Sequence, residues 1–149
     1  MKLYHIKDLL DKIEDIKWIS EALDIDLKKV YFMHCVSSYP TSPLDTNLDV
    51  IREIKNLSRK YKNIVPGYSS HDLTNISSAM SIALGARLIE KHIKLGSSKW
   101  AHFDETALDV NYEFPSWVKC VRSSERVLGD PIKKIYKSEH HKYRFRKSD

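Results

Sequence analysis

From residue 8 to residue 23, Leu9, Ile13, Ile16, Ile19 and Leu23 recur at three- and four-residue steps. That spacing is one apolar stripe of an amphipathic helix. The pattern then changes. VYFMHC, residues 30–35, is a short apolar run with β-branched and aromatic members, and it predicts a buried strand. SSYPTSP follows as a loop, because Pro40 and Pro43 exclude a helix there. Asn47 is placed to cap a second helix, LDVIREIKNLSRKY, with Leu48, Ile51, Ile54 and Leu57 on one stripe. IVPGY, residues 64–68, predicts a second buried strand, in which Pro66 and Gly67 point to a bulge or a close backbone approach. A third helix runs from Asn75 to Leu84, and Gly85 suits its C-terminal cap. ARLIEKHI, residues 86–93, is the third strand. The loop after it is longer than usual, which points to function. The last helix, PSWVKCVRSSERVL, has Pro115 near its start and Gly129 after its end.

Strands alternating with amphipathic helices imply parallel βα units joined by right-handed crossovers. Ligands of such folds sit beyond the carboxyl ends of the strands. Here those ends carry His34-Cys35, Ser69-Ser70-His71 and Glu90-Lys91-His92, which converge on one face. Strand alternation points Glu90 and His92 the same way and Lys91 the other way, towards a structural pair with a helix. A carboxylate beside an imidazole in a buried strand costs several kcal/mol unless it is paired or metal-bound. A satisfied core hydrogen bond is the bland alternative. His71 ends the neighbouring strand, and adjacent strands lie about 4.8 Å apart, so both imidazoles can share one divalent ion. Two His with oxygen donors suit Mn, Fe, Zn or Co. His34 is a third candidate whose direction parity leaves open. Ser37, Ser38, Ser69 and Ser70 on the same rim suit an anion, or serve simply as turn formers.

Composition narrows the class. With 149 residues, 42% hydrophobic and 30% charged, the chain reads as one ordinary globular domain. No apolar run approaches the roughly 18 residues of a membrane span. The first residues turn acidic too early for a signal peptide. Cys35 and Cys120 fit no CxxC spacing, so free thiols and a cytoplasmic location are expected. Residues 131–149 hold seven Lys/Arg against two Asp/Glu, which accounts for the whole net charge of +5. The expected division is therefore a body, 1–130, and a basic tail, 131–149. The tail reads as a solvated extension rather than a nucleic-acid binder.

HCVSSYPTSPLDTNLDVIREI, GYSSHD and ALGARLIEKHI, in that order, resemble the sialic acid synthase family. The resemblance includes the 21-position interval between His71 and His92. The resemblance implies enzymes that condense phosphoenolpyruvate with an N-acetylated amino sugar of N-acetylmannosamine type, forming a nonulosonic acid and releasing phosphate. Members make N-acetylneuraminate, legionaminate or pseudaminate. It implies a (β/α)₈ barrel of TIM type, of which this chain would be part: about three parallel strands alternating with four helices. By the motif match His71 and His92 bind a divalent metal, Mn²⁺, which polarises the sugar aldehyde and helps hold a water. Glu90 is the orienting or proton-handling carboxylate. Ser69 and Ser37 fall near phosphoenolpyruvate, Tyr39 matches a sugar-contacting tyrosine, and Asp104 an acidic residue that grips the sugar.

The match has departures. Ser70 stands where the family motif has aspartate, and Asp72 where it has threonine. Leu108-Asp109 replaces a serine-leucine pair, and one extra residue lies between His92 and Asp104. The resemblance begins in the helix after the fifth strand, so the first five strands and their phosphoenolpyruvate-gripping groups have no counterpart. Three strands cannot close a barrel and leave an edge open. A partner is therefore expected, either another copy or an N-terminal half-barrel. The alternative is a non-catalytic fragment or subunit that docks on a complete synthase.

Overall fold

The computed structural model describes residues 17, 18, 21, 28–96, 103 and 105–139. The predicted first helix lies mostly outside the described residues; Lys17, Trp18 and Glu21 are helical. The elements that follow are β1 (Val30–Cys35), α1 (Val50–Lys60), β2 (Ile64–Ser70), α2 (Ile76–Leu84), β3 (Leu88–Lys91), β4 (Ile93–Lys94), β5 (Leu108–Asp109) and α3 (Glu113–Leu128). A 3₁₀ turn, Lys137–Glu139, follows α3. The first three strands form a parallel sheet in the order β1-β2-β3, and β4 pairs parallel with β5. The chain is thus an α/β fold with parallel strands, as the alternation of patterns predicted. No described helix is long and apolar enough to cross a membrane.

Alternation along the strands gives the sheet two unlike faces. On one face Phe32, Ile64, Tyr68 and Ile89 meet the helices. Ile54 and Ile64 pack with Phe32, Val50 and Tyr61, while Ile51, Tyr68 and Ala86 pack with Leu48, Leu84 and Ile89. Ile51, Ile54 and Leu57 are the buried stripe of α1, as its spacing predicted. Each such side chain contributes about 1.5–3 kcal/mol by leaving water. The other face carries Tyr31, Met33, Gly67 and Leu88, and no described helix covers it; Tyr31 is 48% exposed and Leu88 40%.

α2 packs through small side chains. Ser77, Ser78 and Ser81 are buried, and Trp117 of α3 donates its indole N–H to Ser78 Oγ at 3.1 Å. Gly85 ends α2 at φ 116°, and a Cβ there would lie 2.5 Å from Lys55 Cδ.

Three local expectations resolve differently. Asn47 does not cap α1 with its side chain. It takes φ 41°, its carbonyl accepts from Val50 N at 3.3 Å, and Asp49 is the N-cap. Pro66 and Gly67 make no bulge, because the β1–β2 register runs unbroken from Val30↔Ile64 to Cys35↔Ser69. Gly67 instead allows a close approach: a Cβ there would lie 2.9 Å from Met33 Cγ and 3.2 Å from Leu88 O. The predicted third strand divides at His92, whose carbonyl accepts from Leu108 N at 2.9 Å and starts the β4–β5 pair.

Candidate metal centre

The uncovered face of the sheet ends in the row Cys35, Ser69 and Glu90, aligned by Cα pairing. His71 and His92 follow one alternation further on. Ligand atoms of His71, Glu90 and His92 all lie within 4.8 Å of one another. Among the described residues no other group of three His, Cys, Asp or Glu side chains gathers in this way. The imidazole rings of His71 and His92 lie 5.1 Å apart at 30°.

Two of the three donors, His71 and Glu90, have hydrogen-bond partners that orient them. His71 Nδ1 lies 2.8 Å from Val36 O, a carbonyl that can only accept. Nδ1 therefore carries a proton, and Nε2 faces the cluster, 3.2 Å from Ser69 Oγ. Such a bond from the second ring nitrogen is the usual support of a metal-binding histidine. Ser69 Oγ donates its one proton to Glu90 Oε2. Two imidazoles and a carboxylate within one small volume fit a borderline divalent ion.

Aromatic rings wall the cluster. Tyr39 lies 4.3 Å from the His71 ring and 5.7 Å from that of His92. Phe103 stacks on His92 at 4.5 Å and 17°. Phe103 was not among the residues singled out from the sequence; its one signal was its place beside Asp104 in the long loop. Asp104 itself lies outside the described residues. Ser37 is exposed, and its hydroxyl lies 3.9 Å from Cys35 Sγ, on the rim rather than in the cluster of ligand atoms. Ser38 turns its hydroxyl to Pro40 O at 3.0 Å. His34 belongs to the helix-covered face, where its Nε2 meets Thr46 O at 2.7 Å and its ring stacks on Tyr68. It is not a third imidazole of the cluster. Cys35 and Cys120 are both free thiols.

Behind these residues the alternate positions form a second, buried polar group. Lys91 points away from the cluster, as parity predicted, but its partner lies in the turn before α2 rather than in a helix. Its ammonium donates to the Asp72 carbonyl and to Ser70 Oγ, the latter at 3.3 Å, and lies 3.9 Å from Asp72 Oδ1. Asp72 also accepts from Ser70 Oγ and Ser77 Oγ, each at 2.6 Å, and from Thr74 Oγ1 at 2.9 Å. Burial works against both charges. For Asp72 the hydroxyl donors and Lys91 outweigh burial and hold the carboxyl below its ordinary pKa. For Lys91 burial outweighs the attraction of Asp72 and Glu90, and its pKa falls below the ordinary lysine value. The two directions differ in what they say of the pair, and the donor count explains it: the anion receives several hydrogen bonds, the cation few. Burial likewise raises the pKa of Tyr68 beside them.

Residues 10–133 match the model of the NeuB family. The chain is 38% identical over 108 residues to the N-acetylneuraminate-9-phosphate synthase of Mus musculus, covering 72% of this chain and 29% of that protein. It is 39% identical over 99 residues to the pseudaminic acid synthase of Campylobacter jejuni, covering 66% of this chain and 27% of that protein. A crystal structure of N-acetylneuraminic acid synthetase from Leptospira borgpetersenii, in complex with citrate, superposes with a TM-score of 0.62 at 29% identity. That match covers 79% of this chain and 40% of the other. The chain thus spans less than a third of the length of these curated relatives. With its parallel sheet, its ordered motifs and its His/Glu/His cluster, it belongs to the NeuB family, whose members here are sialic, pseudaminic and legionaminic acid synthases.

Proposed function

We propose that the chain forms the metal-binding face of a nonulosonic acid synthase, built from the last three βα units of a (β/α)₈ barrel. The observation that carries this reading is the gathering of His71, Glu90 and His92 at the carboxyl ends of neighbouring parallel strands. In the proposed reaction C3 of phosphoenolpyruvate bonds to the aldehyde carbon of an N-acetylated amino sugar, water adds at C2, and phosphate leaves. His71 and His92 would hold a divalent ion, Mn²⁺, which when bound supplies electrophile activation at the sugar aldehyde. Glu90, held by the Ser69 hydroxyl, orients the sugar and handles a proton at its carboxylate. Ser69 and Ser37 serve the phosphoenolpyruvate side. Tyr39, against both imidazoles, and Asp104 serve the sugar side.

A partner completes the site in this reading. The uncovered sheet face with Tyr31 and Leu88 suits the other strands of a barrel, supplied by another copy or by an N-terminal half. The same face fits the second reading, a non-catalytic subunit docked on a complete synthase. Phosphate release from phosphoenolpyruvate, N-acetylmannosamine and Mn²⁺ separates the two. The synthase reading expects release that His92→Ala abolishes once an N-terminal half is supplied. No release above that control refutes catalysis and leaves the docking role.

A further inference from the structure

The two segments that carry the cluster are fastened to each other from behind. Ser70 and Lys91 are Cα partners across β2 and β3, and each lies between residues of the cluster, Ser69 and His71 on one strand and Glu90 and His92 on the other. The Lys91 and Asp72 side chains are 1% and 7% exposed. Ser70 Oγ stands between them, 2.6 Å from Asp72 Oδ1 and 3.3 Å from Lys91 Nζ. A buried ammonium needs an anion, and this geometry accepts that anion from either side of His71. An aspartate at position 70 would begin from the backbone directly opposite Lys91. A hydroxyl at position 72 would still meet Ser77 and Thr74, which now donate to Asp72.

We infer that the Asp72 carboxylate, as the charge opposite Lys91 behind the cluster, sets the spacing of His71 and His92. Asp72 is then a positioning residue. This rests on the metal-site reading above and adds the device that aligns it.

The test uses the full chain, wild type and as Asp72→Asn, Asp72→Thr and the double variant Ser70→Asp/Asp72→Thr. Two quantities are read: Mn²⁺ affinity by electron paramagnetic resonance, and the proton resonance of the His71 Nδ1–H group held by Val36 O. The resonance needs no metal. Asp72→Asn keeps the shape and removes the charge, and should weaken Mn²⁺ binding about 10-fold, the lower range for a residue that supports a metal ligand. Asp72→Thr should weaken it further and broaden the resonance. The double variant should restore both. If Asp72→Thr does not fold while the double variant folds and binds, the inference is equally supported. A double variant no better than Asp72→Thr, or an Asp72→Asn variant identical to wild type, overturns the inference. If the wild-type chain binds no Mn²⁺ but the resonance is lost and restored in this pattern, the positioning inference stands and the metal reading falls.

Discussion

The ends of β2 and β3 present two chemistries on alternate residues. In front, the ligand atoms of His71, Glu90 and His92 converge within 4.8 Å of one another, with Ser69 between His71 and Glu90. Behind, Ser70, Asp72 and Lys91 are closed upon one another, and Ser77 and Thr74 complete the set. Among the described residues no buried side-chain nitrogen or oxygen lacks a partner. The rear group is thus a finished structural network, whereas the front group has donor capacity that a ligand can use. One strand pair builds both, because successive side chains point to opposite faces. Polar residues at a strand end are therefore read by parity before they are read by identity.

The largest stability contrast between the two groups should come from Lys91. Lys91→Ala leaves the buried Asp72 carboxylate without its cation and should cost about 3–5 kcal/mol, the usual loss on breaking a buried pair. Glu90→Gln on the front should cost within about 1 kcal/mol. Urea unfolding of both variants measures the difference; equal losses would mean that the front is as structural as the rear.

The same contrast extends to the whole sheet. Ile51→Ala, on the helix-covered face, should cost about 2–5 kcal/mol. Tyr31→Ser, on the uncovered face, should cost less than about 1 kcal/mol in the purified chain. A large loss for Tyr31→Ser would show that a partner already covers this face in solution, and gel filtration of the wild type would then find the larger species.

Gly67→Ala should cost about 1–3 kcal/mol by forcing Met33 and the Leu88 carbonyl apart. Its effect should fall on stability, with Mn²⁺ affinity kept, because the strain lies below the row that ends at Glu90.

The smallest effect is in pH. Asp72 has a lowered pKa in the folded chain. Its contribution is therefore fully present above the unfolded carboxylate value of about 3.9 and is lost as pH falls through the lower folded value. Urea midpoints should decline on acidification below that point, and Asp72→Asn should remove part of the decline. An unchanged slope would show that Asp72 is not ionised in the fold.

Much of this architecture was legible in the residue pattern, and the reasons are local. The stripe of Ile51, Ile54 and Leu57, the Gly85 cap and the alternation of Glu90, Lys91 and His92 each follow from geometry within a few residues. What escaped depends on distant partners. His92 ends β3 because its carbonyl pairs with Leu108, far along the chain. Lys91 could be assigned a face but not a partner, because Asp72 reaches it from a turn that parity does not describe. Asn47 looked like a cap because asparagine favours that role; it serves here through its tolerance of positive φ. Phe103 lay in a polar loop with no periodicity to reveal it.

The most direct test of the metal-binding face is Mn²⁺ binding by electron paramagnetic resonance to the wild-type chain, beside His71→Ala and His92→Ala. Binding in the wild type that both substitutions abolish is the expected result. No binding by a folded wild-type chain, or binding that survives both substitutions, would contradict it.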